Sequence, residues 1–242
     1  MLDAIIVGNA PAEVLLDNPD RPTAALVWLH SDVVLFGGHP DAAFTRRAAA
    51  FIAKLRSQGR RAFMAIPTST NWDNMQLIFK GYSLTPDTRL LMKLHAPRLH
   101  DWQMRQPADI TLRPLDADLL CQVCYENMHY VTDDISATWP SQGAFLDEGF
   151  GYASLLHESV VAGWCTSEYL SPGKCAISIE TMEEFQNQGV ATLNAAAFVA
   201  EATRRGLDTY WDCWADFRVC RRLAEKVGFR TVTRYPVTIA RL

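Results

Sequence analysis

Residues 180–193 read ETMEEFQNQGVATL, and this stretch decides how the rest of the chain is read. It follows a strand-like run and leads into an alanine-rich segment with helical character. Between the two, Gln186-Asn187-Gln188-Gly189 form a loop of small and amide residues. A helix start leaves its first backbone N–H groups without intrahelical partners, and the helix dipole adds positive character there. Gly189 has no Cβ to keep a ligand away from the backbone. A strand, such a loop and a helix start, in that order, predict an anion site.

Composition limits what that site can serve. The chain has 242 residues, 49% of them apolar, enough for one large or two small packed domains. A net charge of −4 supplies no general field for nucleic acid or anionic lipid. Its apolar runs are too short for the roughly 20 residues that span a bilayer. The start MLDAIIVGNAPAEVLLD lacks a basic region ahead of its apolar residues, so a cytoplasmic protein without a membrane role is expected. Six cysteines fit that compartment. Cys121 and Cys124 form a C-x-x-C with no second Cys/His pair at zinc spacing, so they read as a buried helical pair rather than a metal site. Cys165, Cys175, Cys213 and Cys220 sit at apolar positions and read as small core hydrophobes.

Periodicity and turn residues divide the chain into two α/β halves, 1–105 and 106–242, at the polar connector HAPRLHDWQMRQPAD. In the first half, strands are expected at 24–29, 33–37, 62–66 and 89–94, with helices at 42–57 and 72–80. In the second, strands are expected at 110–113, 150–156, 160–168, 174–181, 209–213 and from 229, with helices at 116–129, 190–205 and 216–227. Gly59 and Gly81 have the same separation as Gly206 and Gly228, each pair closing two helices. That echo is consistent with an internal duplication, whose offset matches QNQGVA to HPDAAF at 39–44. Pro40 has no N–H to offer there, and Asp41 opposes an anion and reads as a helix N-cap. Trp28, Trp72 and Phe79 read as core of the first half.

Gln186-Asn187-Gln188-Gly189-Val190-Ala191, the element order of the second half and LAEKVGF at 223–229 together resemble the GCN5-related N-acetyltransferases (GNAT superfamily). IETMEEFQNQGVAT followed by WDCW and RRLAEKVGF is similar to the branch that includes the zwittermicin A resistance acetyltransferase. The resemblance implies a GNAT fold, of mixed α/β class, in the second half, preceded by a smaller α/β half that is a degenerate repeat or an unrelated one. It implies acetyl-CoA or another acyl-CoA as cosubstrate, no metal, and a primary amine as acceptor. The pyrophosphate would lie on the backbone around Gln186, Asn187, Gln188, Gly189, Val190, Ala191 and Thr192, with Arg218, Arg221 or Arg222 meeting the nucleotide end. The thioester oxygen would meet an N–H near Thr181 or Met182.

Acyl transfer to an amine requires a route for a proton, because an alkylammonium is charged at neutral pH. The family often uses a carboxylate near the end of the strand before the loop, which places Glu180 as the base. A carboxylate that only holds the loop's shape is the competing reading, and Glu183 and Glu184 read as solvated. The chain departs from the family at Ala224, where a tyrosine acid is common, and at the start of the last helix, where an asparagine is common and ADFRVC offers Phe217 and Cys220. A CoA thiol has a pKa of about 8.5 and leaves without a strong acid. The acceptor cleft is expected around Glu126, His129, Tyr130, Asp133, Asp134, Trp211 and Asp212, and acidic and aromatic residues there suit a cationic amine. A solvated helix end accounts for the same residues. A small-molecule amine acceptor, a protein amine acceptor and a non-catalytic acyl-CoA binder all remain open, as do monomer and homodimer.

Overall fold

The computed structural model describes residues 1–68, Trp72, 75–122 and 124–242. Along the chain the elements are α1 (Leu2–Ile6), β1 (Glu13–Leu16), β2 (Ala24–Trp28), β3 (Val33–Gly38), α2 (Ala42–Ser57), β4 (Ala62–Pro67), α3 (Met75–Ile78) and β5 (Ser83–Leu94). They continue as β6 (Ile110–Pro114), α4 (Ala117–Leu120), α5 (Met128–Thr138), α6 (Gln142–Glu148), β7 (Gly151–Leu156), β8 (Val160–Ser171) and β9 (Lys174–Thr181). After them come α7 (Val190–Arg204), β10 (Asp208–Trp214), α8 (Arg218–Val227) and β11 (Phe229–Arg241). The fold is mixed α/β, as expected.

Two compact units result, one of Pro11–Arg89 with Tyr235–Leu242, the other of Met1–Ala10 with Leu90–Arg234. In the smaller unit β1, β2 and β3 are successive antiparallel neighbours, and β3 pairs parallel with β4 after the α2 crossover. The closing residues of β11 pair antiparallel with β4, with Thr238 opposite Ala65. Helix α2 buries Phe44, Ala48, Phe51, Ile52 and Leu55, one stripe at helical spacing. Asp41 caps it, accepting the Phe44 N–H at 2.6 Å. Phe36 packs 4.8 Å from Trp72 and 6.0 Å from Phe79, so these are core residues, while Trp28 is half-buried.

The larger unit orders its strands β5-β10-β9-β8-β7-β6. From β6 to β9 neighbours are antiparallel, and β9 pairs parallel with β10 after the α7 crossover. Gly163 on β8 lies so close to β9 that a Cβ there would meet the Glu180 carbonyl at 2.8 Å and the Val190 side chain at 3.0 Å. The glycine therefore lets the start of α7 seat on the end of β9.

Several expectations need correction. The division at 105/106 does not match the compact units, because the connector lies inside the larger one. Within it, Leu99 and Trp102 pack on the core, and the His95 and Arg98 amides donate to Gly228 and Val227. The expected helix at 116–129 is replaced by α4, a turn and α5, and Val123 lies outside the described residues. Glu126 forms a parallel bridge with Val160, exchanging backbone hydrogen bonds of 3.0 Å with Ser159 and Val161. Asn127 turns left-handed (φ 65°) and donates to the Val161 carbonyl, so pairing with a distant strand overrides local helix propensity. Cys121 and Cys124, in that turn region, are exposed rather than a buried pair. Cys165, Cys175 and Cys213 are buried, and burial pushes the Cys175 thiol up to about 11. The helix expected at 72–80 is described only as α3, with residues 73 and 74 outside the described set. Helices α1 and α6 and strand β1 add to the expected elements.

Candidate active site

The loop after β9 makes one turn of 3-10 helix at Glu183–Phe185, passes Asn187 at φ 61°, and enters α7 through Gly189 at φ 89°. No side chain caps this helix. The amides of Gln188, Gly189, Val190, Ala191 and Thr192 meet no acceptor among the described residues. Gly189 has open space where a Cβ would lie, so only its backbone conformation demands glycine. Gln186 and Gln188 turn their side chains inward, donating to the carbonyls of Thr181 at 3.4 Å and Glu184 at 2.8 Å. They shape the loop, while the amide edge faces outward. Glu183 and Glu184 are exposed, as expected.

This edge opens on a cleft of about 360 Å³ between the end of β9, the helix start and α8. Its apolar lining includes Ile179, Phe185, Phe217, Val219 and Leu223, and its basic lining is Arg222 and Lys226. Lys226 Nζ donates to Thr192 Oγ1 at 3.2 Å, which places an ammonium beside the helix start. Arg218 and Arg221 do not line the cleft, and Arg221 turns toward Glu225 at 3.7 Å. Residues 219, 222, 223 and 226 share one helix face and 218, 221 and 225 another, a helical spacing readable in the sequence that would have selected Lys226. Phe217 is 52% exposed and Ala224 is fully buried. The family's tyrosine position is therefore occupied by a core alanine.

Strand β9 separates two chemical environments. Ser178 and Glu180 share the face toward α5, where Ser178 donates to Asp134 at 3.2 Å. Ile179 and Thr181 share the other face, where Thr181 Oγ1 and Val190 both crowd Gly163. Met182 cannot serve as an oxyanion donor here, since its N–H is engaged with the Ala162 carbonyl at 3.0 Å. In an antiparallel ladder alternate residues turn their amides opposite ways, so the Thr181 N–H points to the β10 side. The β9–β10 ladder covers only Lys174–Ala176 against Asp208–Tyr210, so no paired β10 residue stands opposite Thr181. Glu180 itself is exposed, yet burial of its carboxylate, and secondarily the Asp134 charge, pushes its pKa above the usual carboxylate value.

The acceptor-side residues separate into two groups. Tyr130, 45% exposed, stacks parallel to Trp164 at 6.5 Å, with His129 against it at 4.0 Å. Asp134, one turn along α5, accepts from Trp164 Nε1 at 3.2 Å, Thr166 Oγ1 at 2.9 Å and Ser178 Oγ. Glu126 is exposed at the mouth of β8. Of these, Asp134 meets Trp164 and Ser178 on the face that Glu180 shares. Trp211 does not join them, because it is 1% exposed, packs against Phe229 at 5.3 Å and donates to Cys220 Sγ. Asp212 is half-buried on the opposite face of β10 from Trp211.

A family model described as GNAT acetyltransferase matches residues 1–238. The chain belongs to this family. An uncharacterized N-acetyltransferase of Bacillus subtilis, YdfB, is 25% identical over 237 residues, covering 97% of this chain and 87% of its own. A GCN5-related N-acetyltransferase-like protein from Streptococcus suis superposes over 100% of this chain and 93% of its own, with a TM-score of 0.76 at 21% identity. A tandem GNAT protein from the clavulanic acid biosynthesis pathway covers 98% of this chain and 87% of its own, with a TM-score of 0.56 at 13% identity. The protein is thus a GNAT N-acetyltransferase, and the family uses acyl-CoA cosubstrates. The free amides, the adjoining cations and the apolar cleft fit such an elongated ligand with an anionic middle. No group of three His, Cys, Asp or Glu side chains at metal-binding distance occurs among the described residues, nor a helix long and apolar enough to cross a membrane.

Proposed function

We propose that the protein transfers an acetyl group from acetyl-CoA to a primary amine of a small cationic molecule such as an amino-sugar, polyamine or aminated antibiotic. The observation that carries this reading is a juxtaposition. An uncapped helix start with free amides adjoins the same strand end that presents a partly desolvated carboxylate on its other face.

Each residue then has a task. The amides of residues 188–192 and Lys226 hold the pyrophosphate, with Asn187 setting the left-handed turn before them. Ile179, Phe217, Val219 and Leu223 line the path of the pantetheine arm. The Thr181 N–H is the remaining oxyanion donor once that of Met182 is engaged. Glu180 takes one proton from the acceptor ammonium, freeing the nitrogen lone pair to form the C–N bond. The C–S bond breaks, the thiolate takes a second proton released by the nitrogen, and the third remains on the amide product. Glu180 returns its proton to water. Tyr130, Trp164, His129 and Glu126 surround the approach of the amine.

Acetyl-CoA turnover with a panel of amines tests the activity, and peptide amines in the panel decide between small and protein acceptors. Similarity of the loop to the zwittermicin-resistance branch puts aminated antibiotics on that panel. No turnover despite acetyl-CoA binding would reduce the protein to a binder. Glu180→Gln keeps shape while removing basicity, and it is expected to lower turnover about 10²- to 10⁴-fold at neutral pH, with recovery at high pH. A loss below tenfold would reject Glu180 as base.

We further propose that the smaller unit is a silent GNAT-like copy. Support comes from its parallel strand–helix–strand, β3-α2-β4, which has the same order as β9-α7-β10, and from a tandem GNAT protein among the structural relatives.

A further inference from the structure

Among the half-buried ionisable groups, Asp134 stands apart because three side chains donate to its carboxylate and no cation does. Trp164 and Thr166 donate to Oδ2, Ser178 to Oδ1, and no ion pair among the described residues includes Asp134 or Glu180. Trp164 lies directly across from Glu180, and Thr166 across from Ser178. Two of the residues that grip Asp134, Trp164 and Thr166, are the cross-strand neighbours of Glu180 and Ser178, and the third is Ser178 itself, all on one sheet face. Three donors favour the charged form of Asp134, while Glu180 has no donor to share its charge.

We propose that Asp134 is a positioning residue for the transfer, a carboxylate held behind Glu180 whose charge helps make Glu180 the proton acceptor of the site. This rests on the base role proposed above for Glu180. The other groups near Asp134 do not compete for the role. Tyr130 and the exposed Asp133 lie on its own helix, Ser178 and Glu180 on β9, and Trp164 and Thr166 on β8. The Cys165 thiol is buried and held neutral, its pKa driven far up by burial. Burial raises the pKa of Asp134 as well, against the three hydrogen bonds that lower it.

Asp134→Asn removes the charge while preserving shape. Loss of a nearby like charge lowers the pKa of Glu180. The acid limb of kcat/KM should then move down in pH, while the plateau falls a few-fold because a weaker base drives the transfer less. The two pH profiles should cross, a signature that structural damage alone does not give. Carbon-13 NMR of glutamate carboxyls, with Glu180 assigned through Glu180→Gln, reads the same shift without activity. Thr166→Val keeps the Asp134 carboxyl but removes one donor to its charged form, so Asp134 is charged less readily and Glu180 should shift the same way by less, carrying the test if Asp134→Asn does not fold. An acid limb that persists in Glu180→Gln rejects the base role itself. A limb lost in Glu180→Gln but unmoved in Asp134→Asn, with an unchanged Glu180 midpoint, leaves the base role standing and overturns the role of Asp134.

Discussion

Helices α2 and α7 follow a strand of the same kind, end at left-handed glycines Gly59 and Gly206, and lead into a parallel strand, yet they begin in opposite ways. At α2, Asp41 lies in extended geometry (φ −85°, ψ 175°) and satisfies the Phe44 N–H with its own carboxylate. At α7, Gly189 is left-handed (φ 89°), no side chain caps the helix, and the first amides face outward. One helix start is satisfied within the protein, and the other has no side-chain cap. The comparison teaches that a strand–helix–strand unit is scaffold, and that function is added or withheld at the few residues entering the helix.

Gly189→Asp tests the contrast most severely. It sets a negative charge and a Cβ at the proposed phosphate, while left-handed geometry denies it the capping role that Asp41 plays. Acetyl-CoA should stabilise the parent protein against heat by about 2.7 kcal/mol at a hundredfold excess over its dissociation constant. That shift should vanish in the variant, and the free variant should lose roughly 1–2 kcal/mol because an L residue resists this backbone conformation. Calorimetry and thermal scans with and without acetyl-CoA read both effects, and an undiminished ligand shift would place the anion elsewhere.

A smaller effect is expected on α8. Lys226→Ala should weaken acetyl-CoA about three- to tenfold, an exposed charge contributing modestly, and the loss should shrink at high salt. Arg221→Ala, on the other face and turned toward Glu225, should change affinity less than twofold. Equal losses in titrations of the two variants would contradict the cleft geometry. The smallest effect on function belongs to the capped helix. Asp41→Ala should cost about 1 kcal/mol of stability and leave one acetyl-CoA per chain with unchanged affinity. A stoichiometry of two would end the description of the smaller unit as silent.

Much of this contrast is legible along the chain. Pro40-Asp41 ahead of one helix and Gln188-Gly189 ahead of the other are local signals of a cap and of an open helix start, and the observed α2 bounds match the expected 42–57. The α8 face carrying Lys226 is also written in helical spacing, although the arginines draw the eye first. Other features have no local signal. The break before α5 depends on Glu126 pairing with Val160, more than thirty residues away, and the burial of Trp211 depends on Phe229 and Cys220.

The sequence by itself determined the class, the family resemblance and the open start of α7, because loop composition, glycine placement and periodicity act within a few residues and through the backbone. Only the tertiary structure decided which amide at the end of β9 is free, which cations line the cleft, and that Trp164, which donates to Asp134, stands across from Glu180. Those depend on strand register, where a shift of one residue turns every amide and side chain to the opposite side, and register is set by partners far apart in the chain.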